Sequence, residues 1–395
     1  MRKLTVRDVD IAGKRVLLRV DYNVQVEDGV VFDDLRLRES LPTIDLLRRA
    51  GCRIAIASHR GRPRGEVVPE LRNGPVAQHL RGLLGAPVLA VDGCVGSDVE
   101  AAVAALGPGD LLMLENLRFH PEESANDPGF AAALARLADL YVNDAFGSAH
   151  RAHASLVGVA EHLPAVAGLL LEREVDMLEA VTRAPERPLG LVLGGSKISD
   201  KVLILENLIE MADVVCIGGA MANTFLKAGG TDVADSLVED ERLDAAARCM
   251  AQAARRQVRL VLPRDVVAAF GSPYGGSVRT LPVTRVPAGW RILDVGPATT
   301  RAFRASLTGM RTVIWNGPLG LFEHDRFAEG SLTMARMLGD LDATTVVGGG
   351  ETAAAVHRAG VAEAVTHLST GGGASLMLLQ GRPLPAVEAL LDAEA

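Results

Sequence analysis

The sequence predicts an α/β protein of two domains, each built on a parallel sheet. Short apolar, β-branched runs recur along the chain, separated by helical stretches of about 15 to 25 residues, the alternation that yields parallel strands with crossover helices. At 395 residues, 48% of them hydrophobic, the chain exceeds one ordinary domain and suits two of about 150 to 200 residues. The residues that follow the runs also differ in kind between the two halves. They are charged in the first and glycine-rich in the second.

Taken in order, the first-half runs are Val16 to Val20, Ile54 to Ala57, Leu111 to Leu114 and Leu140 to Val142. They are followed by Asp21-Tyr22-Asn23, Ser58-His59-Arg60-Gly61-Arg62, Glu115-Asn116-Leu117-Arg118 and Asn143-Asp144. Ala165 to Arg183 reads as a helix with Leu171, Val175 and Leu178 on one face, ended by Pro185 and Pro188. With no Gly/Ser-rich or Pro-rich linker nearby, this helix is the economical domain boundary and a candidate hinge. The second-half runs are Leu189 to Leu193, Val214 to Ile217, Leu260 to Leu262, Thr312 to Trp315, Thr345 to Val347 and His367 to Ser369. After them come Gly194-Gly195-Ser196-Lys197, Gly218-Gly219, Arg264-Asp265, Asn316-Gly317-Pro318, Gly348-Gly349-Gly350 and Gly371-Gly372-Gly373. Pro385 to Ala395 reads as a short terminal helix.

A formal charge of -8 and a pI near 5.7 argue against a nucleic-acid or membrane-surface partner. The four cysteines, Cys52, Cys94, Cys216 and Cys249, show no CxxC pair or metal-ligand spacing, so buried free thiols in a reducing cytoplasm are expected. MRKLTVRDVDIAG has no apolar core of signal length, and no uncharged apolar stretch reaches the roughly 18 residues of a membrane span.

Open parallel sheets bind ligands beyond the carboxyl ends of their strands, so the loops after the runs are the place to look. In LGLVLGGSKISDK, a buried strand stops at Gly194-Gly195, and a helix capped by Ser196 or Ser199 would set Lys197 and Lys201 on one face. A glycine turn that bares N–H groups, a helix start and two lysines suit a nucleotide polyphosphate; a tight turn with two solvated lysines is the alternative. GxxxxGK[ST] occurs nowhere, so this is not a Walker A loop. In the first half, His59, Arg60, Arg62, Arg64, Arg118, His120, His150, Arg151 and His153 fall in loops against an acidic background. Arginines from separate strand ends suit a phosphate or carboxylate as a set, although each alone reads as a surface residue. His150 and His153 form H-x-x-H, for which a structural role outranks metal ligation. Gly348 to Ala353 fits G-x-G-x-x-A, but the position about 20 residues on, where an acidic ribose ligand belongs, is Thr370. Glu351 beside these glycines better fits magnesium held with nucleotide phosphates. No HRD, DFG or Ser-His-Asp arrangement appears. Phosphoryl transfer to a carboxylate needs none, because that nucleophile is already deprotonated.

These residues fall into motifs that resemble the phosphoglycerate kinase family. RVDYNV (Arg19 to Val24), LPTI (Leu41 to Ile44), SHRGRP (Ser58 to Pro63), LLMLENLRF (Leu111 to Phe119), YVNDAFGSAHRAHAS (Tyr141 to Ser155), LGGSKISDK, IGGAMANTFL (Ile217 to Leu226), WNGPLGLFE (Trp315 to Glu323), VGGGET (Val347 to Thr352) and STGGGASL (Ser369 to Leu376) occur in the family's order and spacing. The resemblance implies two Rossmann-like three-layer domains joined by an interdomain helix: residues 1–165 for the acid, 166–184 as the hinge helix, 185–375 for the nucleotide, and 376–395 returning to the first domain. It implies reversible phosphoryl transfer from 1,3-bisphosphoglycerate to MgADP, giving 3-phosphoglycerate and MgATP, in a cytoplasmic monomer whose domains close. Asp21, Asn23, Arg36, His59, Arg62, Arg118 and Arg151 would bind the acid, with Arg36 also near the transferring group. Lys197, Gly372 and Gly373 would stabilise that group. Gly195, Lys201, Gly219, Asn316, Gly317, Pro318, Glu323, Gly349, Gly350, Glu351 and Thr352 would hold the nucleotide, with Glu323 on the ribose and Glu351 on Mg2+.

The sequence departs from the family at Glu351, where aspartate is usual, and at Arg60, where an apolar residue is usual. Tyr22, Gln25, Met377 and Gln380 also differ from the common residues. Arg60 and Glu351 motivate an alternative, a paralogue acting on another carboxylic acid. A catalytically idle binding protein is the reading from another class, and retention of both lysines and every matched arginine speaks against it. A dinucleotide dehydrogenase ranks last, because its acidic ribose ligand is missing.

Overall fold

The computed structural model describes residues 3–199, 201–272 and 276–393. The chain falls into two compact units: 1–176 with 383–395, and 177–382. The division lies inside the helix Leu169–Arg183.

The first unit contains β1 (Arg15–Val20), a small hairpin of β2 (Val26–Glu27) and β3 (Val30–Val31), β4 (Arg53–Ala57), β5 (Val88–Ala90), β6 (Leu111–Met113), β7 (Leu140–Asp144) and β8 (Ala165–Ala167). Six of these strands form an all-parallel sheet in the order β5-β6-β4-β1-β7-β8. β1 and β7 are near-continuous apolar runs because helices cover both faces of a parallel sheet. The core on one side gathers Val16, Leu18, Val20, Ile54, Ile56 and Val142 against Leu37, Ile44 and Leu47 of the helix Leu35–Arg49.

In the second unit, β9 (Leu189–Leu193), β10 (Val214–Ile217), β11 (Arg259–Val261), β12 (Asp265–Phe270), β13 (Ser277–Pro282), β14 (Trp290–Val295), β15 (Thr312–Asn316), β16 (Thr344–Gly348) and β17 (His367–Leu368) make two sheets. The larger is parallel, ordered β11-β10-β9-β15-β16-β17, the doubly wound order of a Rossmann fold. The smaller is antiparallel, ordered β13-β12-β14, with its own core of Val266, Ala268, Trp290 and Ile292.

Several expectations change. Residues 165–167 are not the start of the helix: they pair with β7 as β8, and the helix begins at Leu169. Its N-terminus is fixed by Asp144, whose carboxylate accepts the Leu170 and Leu171 amides. Asp265, which follows the run Leu260 to Leu262, begins β12 and accepts the amides of Ala298 and Thr299 in the first turn of the helix Pro297–Leu307. The terminal segment has helix only at Pro385–Glu388, and residues 394 and 395 lie outside the described residues. Residues 376–382 group with the second unit, and 383–393 with the first. There Leu384 and Leu390 are buried, and Leu391 donates its amide to Ala165 and accepts that of Leu4. All four cysteines are free and buried. Among the described residues no helix is long and apolar enough to cross a membrane.

Candidate active site

Each unit carries a candidate site at the carboxyl ends of its central strands. In the first unit, Asp21 follows β1. Its Oδ1 accepts a hydrogen bond from Arg36 Nη1 (2.9 Å), and its Oδ2 accepts one from Ser148 Oγ (2.9 Å). A methyl group on Gly147 would sit 2.4 Å from Asp21 Oδ2, so only glycine admits this carboxylate. Burial works against its charge, but the Arg36 and Arg19 guanidiniums and the Ser148 hydrogen bond outweigh that and hold it well below the usual carboxylate range. Asn23 Oδ1 accepts the Gly61 amide (2.8 Å), and Gly61 O accepts Arg118 Nη1 (2.5 Å). Asn116 sets the Arg118 turn by accepting its amide (3.1 Å).

The cationic groups crowd one another. Burial and then the charges of Arg151 and Arg19 push the Arg118 guanidinium down to about 10. Burial with Arg62 and Arg19 lowers Arg151, partly offset by Asp21. Burial keeps His59 neutral, against the attraction of Asp21 and with Arg19, Arg118 and Arg151 adding to the effect. Two buried N–H groups, Arg118 Nη2 and Arg151 Nε, have no acceptor. Arg62, Arg64, Arg118, Arg151 and His153 line a cavity of about 350 Å³. Crowded guanidiniums with spare donors make a receptor for a multiply charged anion.

Arg60 does not face this cavity. It is buried, bonds the Arg72 carbonyl through Nη1 (2.5 Å) and senses Glu115, so it braces the segment before the helix Gly74–Leu84. His120 stacks on Phe130, and His153 approaches Glu123 at 3.6 Å. Among the described residues no group of three His, Cys, Asp or Glu could hold a metal. The sequence reading missed Arg19, Glu123 and Ser155, a buried chain described below. Its signal was an arginine within the apolar strand RVLLRV.

In the second unit the candidate site lies at the switch point between β9 and β15. The Gly194 and Gly195 amides are not bared. They donate to Asn316 O (3.0 Å) and Pro318 O (2.8 Å). Added methyl groups would lie 2.2 Å from Pro318 O at Gly194, 2.6 Å from Gly195 N at Gly219, and 2.3 Å from Gly194 O at Gly317. These glycines exist because two backbone turns interlock. The helix starts at Val202, with Lys201 at its N-cap, and neither Ser196 nor Ser199 caps it. Ser199 instead donates its amide and hydroxyl to Glu239 (3.1 and 2.7 Å). Lys197 and Lys201 therefore do not share a helical face: Lys197 is exposed in the turn, while Lys201 is nearly buried with Cε 3.9 Å from the position a Gly195 Cβ would take. Asp200 between them lies outside the described residues.

A cavity of about 320 Å³ opens here, walled by Gly195, Ser196, Gly219, Pro318, Glu323 and Glu351 on its polar side and Leu237, Val266, Leu319 and Leu321 on its apolar side. Behind it, Asn316 Nδ2 donates to Gly348 O (2.8 Å), and Thr352 Oγ1 accepts the Gly317 amide (2.8 Å), tying the ends of β15 and β16 together. Gly349, at φ +100°, is the N-cap of the helix Gly350–Arg358, and Gly371 that of the helix Gly372–Leu379. A methyl group on Gly372 would lie 3.7 Å from Gly350 N, so the two helix N-termini meet. Their first-turn amides lack intrahelical acceptors, and both dipoles favour negative charge at one spot. An apolar slot beside paired helix N-termini suits a nucleotide base and its phosphates. One exposed carboxylate, Glu351, at that place fits a magnesium ion bound mainly through phosphates, which needs no three-ligand protein cage.

A doubly wound nucleotide-type unit paired with a guanidinium-lined anion unit defines an α/β phosphotransferase. The comparisons with known proteins agree. The family model described as phosphoglycerate kinase matches residues 6–382. Phosphoglycerate kinases of Pelotomaculum thermopropionicum and Moorella thermoacetica are 53% and 52% identical over 392 residues, covering 99% of this chain and 100% of each relative. The solved structures of phosphoglycerate kinase from Coxiella burnetii and Pyrococcus horikoshii superpose with TM-scores of 0.86, at 36% and 30% identity and 98% coverage of both chains. The chain belongs to the phosphoglycerate kinase family. It is a kinase, and the family's standard activity is the reversible glycolytic transfer of a phosphoryl group between 1,3-bisphosphoglycerate and ADP.

Proposed function

We propose the following division of that reaction among the residues. The acid, 3-phosphoglycerate or 1,3-bisphosphoglycerate, binds on the first unit: Arg62, Arg118 and Arg151 take its phosphate, and Asp21, Asn23, Arg36 and His59 orient its hydroxyl and carboxyl. The observation that carries this is the pair of buried, acceptor-less donors, Arg118 Nη2 and Arg151 Nε, on mutually repelling guanidiniums. An anion relieves both the repulsion and the missing hydrogen bonds.

The nucleotide binds on the second unit, its base between Gly219 and Pro318, its ribose on Glu323, and its phosphates near Lys201 and the amides at Gly349 to Thr352. Asn316, Gly317 and Gly195 hold the turns around it. Glu351 would hold Mg2+, which supplies charge neutralisation for the phosphates. The carboxylate nucleophile is deprotonated at neutral pH, so no general base is assigned. Lys197, Arg36 and the Gly372 and Gly373 amides stabilise the charge on the transferring phosphoryl, and most of the acceleration comes from positioning and this electrostatic stabilisation. The reading takes the enzyme as a cytoplasmic monomer, in keeping with its four buried free thiols.

The test is ADP formation from MgATP and 3-phosphoglycerate, with hydroxylamine trapping the acyl phosphate as a hydroxamate. Fast, acid-dependent hydroxamate formation supports the assignment. Folded protein that binds MgATP yet makes no hydroxamate with this acid would sink it and turn attention to other phosphorylated hydroxy acids.

A further inference from the structure

One buried chain of charges beside the acid cluster is not used by the reaction as described. Arg19, only 1% exposed, projects from the central strand β1. Its Nε donates to Ser155 Oγ (2.9 Å), its Nη1 donates to the Val20 carbonyl, and its Nη2 lies 3.2 Å from His59 Nδ1. Ser155 in turn donates its hydroxyl and amide to the two oxygens of Glu123 (2.7 and 2.9 Å), a carboxylate with no exposure at all. A guanidinium cannot accept a hydrogen bond. The contact with His59 therefore requires a bare Nδ1 lone pair, and the ring proton must sit on Nε2.

We propose that Arg19 is a positioning residue, charge-balanced through Ser155 by Glu123, that fixes His59 as the neutral tautomer with Nε2–H available as a donor to the acid. The part of this that concerns the acid rests on the site reading above; the tautomer does not. The groups that face His59 are Arg19 and Asp21 from β1 and its following loop, Arg118 from the turn after β6, and Arg151 from the loop after β7. Asp21 alone attracts a proton to the ring, and it is already engaged by Arg36 and Ser148. Without Arg19 the ring's affinity for a proton rises, with burial, Arg118 and Arg151 still opposing it, and an imidazolium has donors on both nitrogens and no lone pair.

The direct measurement is long-range proton–nitrogen NMR of the whole protein labelled on histidine nitrogen, with the His59 signals assigned by their loss in His59→Gln. The expected spectrum shows Nδ1 bare and Nε2 protonated from about pH 5.5 to about pH 8.5. A proton on Nδ1, or an imidazolium within that range, overturns the proposal. Adding 3-phosphoglycerate should then move the Nε2–H signal. If the tautomer is as stated but the signal stays put, the acid-site reading fails while the tautomer assignment stands. The second arm is Arg19→Met combined with Glu123→Gln, which removes both buried charges together. Its kcat/KM for 3-phosphoglycerate should fall roughly ten- to hundredfold, the scale of a charge-assisted hydrogen bond, and an acid limb should appear in its pH profile. Its KM for MgATP should stay within about twofold. An equal loss with the wild-type tautomer and pH profile retained would reduce Arg19 to a packing role and overturn the proposal. If the double variant does not fold, the wild-type spectrum decides.

Discussion

Arg118→Met separates binding from stability. The guanidinium sits at about 10 because it is buried and crowded by Arg151 and Arg19. In the pH interval between that value and its ordinary 12.5, the unfolded chain binds more protons than the folded one, so stability rises with pH there. At neutral pH the penalty is fully present, about 1 to 3 kcal/mol after solvent screening. Methionine removes that penalty and loses one hydrogen bond to the Gly61 carbonyl, about 1.5 kcal/mol. The two roughly cancel, and the midpoint of thermal unfolding should stay within about 6 °C of wild type, leaning upward. Function should not cancel. Two charge-assisted bonds to the acid's phosphate, at about 1.5 to 3 kcal/mol each, are lost, which is a fall of roughly a hundred- to ten-thousandfold in kcat/KM for 3-phosphoglycerate. Scanning calorimetry beside the hydroxamate assay reads both quantities, and added 3-phosphoglycerate should raise the wild-type midpoint but not the variant's. A loss of activity under tenfold, or a large drop in the midpoint, would refute the anion-receptor argument.

Three further outcomes are expected. Lys197→Ala should lower turnover by roughly a hundred- to a thousandfold while changing nucleotide affinity little, since its contact is expected mainly in the transition state; an unchanged kcat removes it from that role. Glu351→Asp should keep or raise activity, whereas Glu351→Ala should raise the Mg2+ needed for half-maximal rate by about tenfold, measured by metal titration; a large loss in the aspartate variant means the site is shaped for glutamate. Gly194→Ala places a methyl group 2.2 Å from the Pro318 carbonyl, so unfolding should be easier by about 3 kcal/mol and the KM for MgATP markedly higher; near-wild-type behaviour would show that the interlocked turns can part.

Most of the parallel framework was legible, because β1, β7, β9 and β15 are near-continuous apolar runs ending in glycine, asparagine or aspartate. The switch-point rule then pointed to the strand-end loops of each unit as the candidate sites. What escaped had weaker local marks. β13 is mostly exposed and lacks apolar alternation, so this strand of the antiparallel sheet left no periodic signal. β8 is three residues, Ala-Val-Ala, that merge into the following helix pattern. The spacing of Lys197 and Lys201 suggested one helical face, but the helix begins only after Lys201, with Ser199 drawn off by Glu239, forty residues along the chain. Arg60 looked like added charge at the acid loop because direction is not encoded in spacing; its carbonyl partner at Arg72 is supplied by the fold. The Arg19 chain needed β1 and the segments holding Glu123 and Ser155 brought together, which no local rule provides.

The docking of residues 383–393 on the first unit bears on how the protein is made. Residues 177–382 are contiguous, so the second unit can fold as soon as it has left the ribosome. The first unit, although its strands are synthesised earlier, waits for residues 383–393, which follow the whole of the second unit. Ala386 bonds Ala149, two residues from Arg151, while Lys3 pairs with Asp392 and bonds the Glu388 and Leu390 carbonyls. A nascent chain stalled near residue 380 would thus carry a finished second unit and a first unit whose Arg151 loop still lacks its brace, so the half begun first is completed after the other.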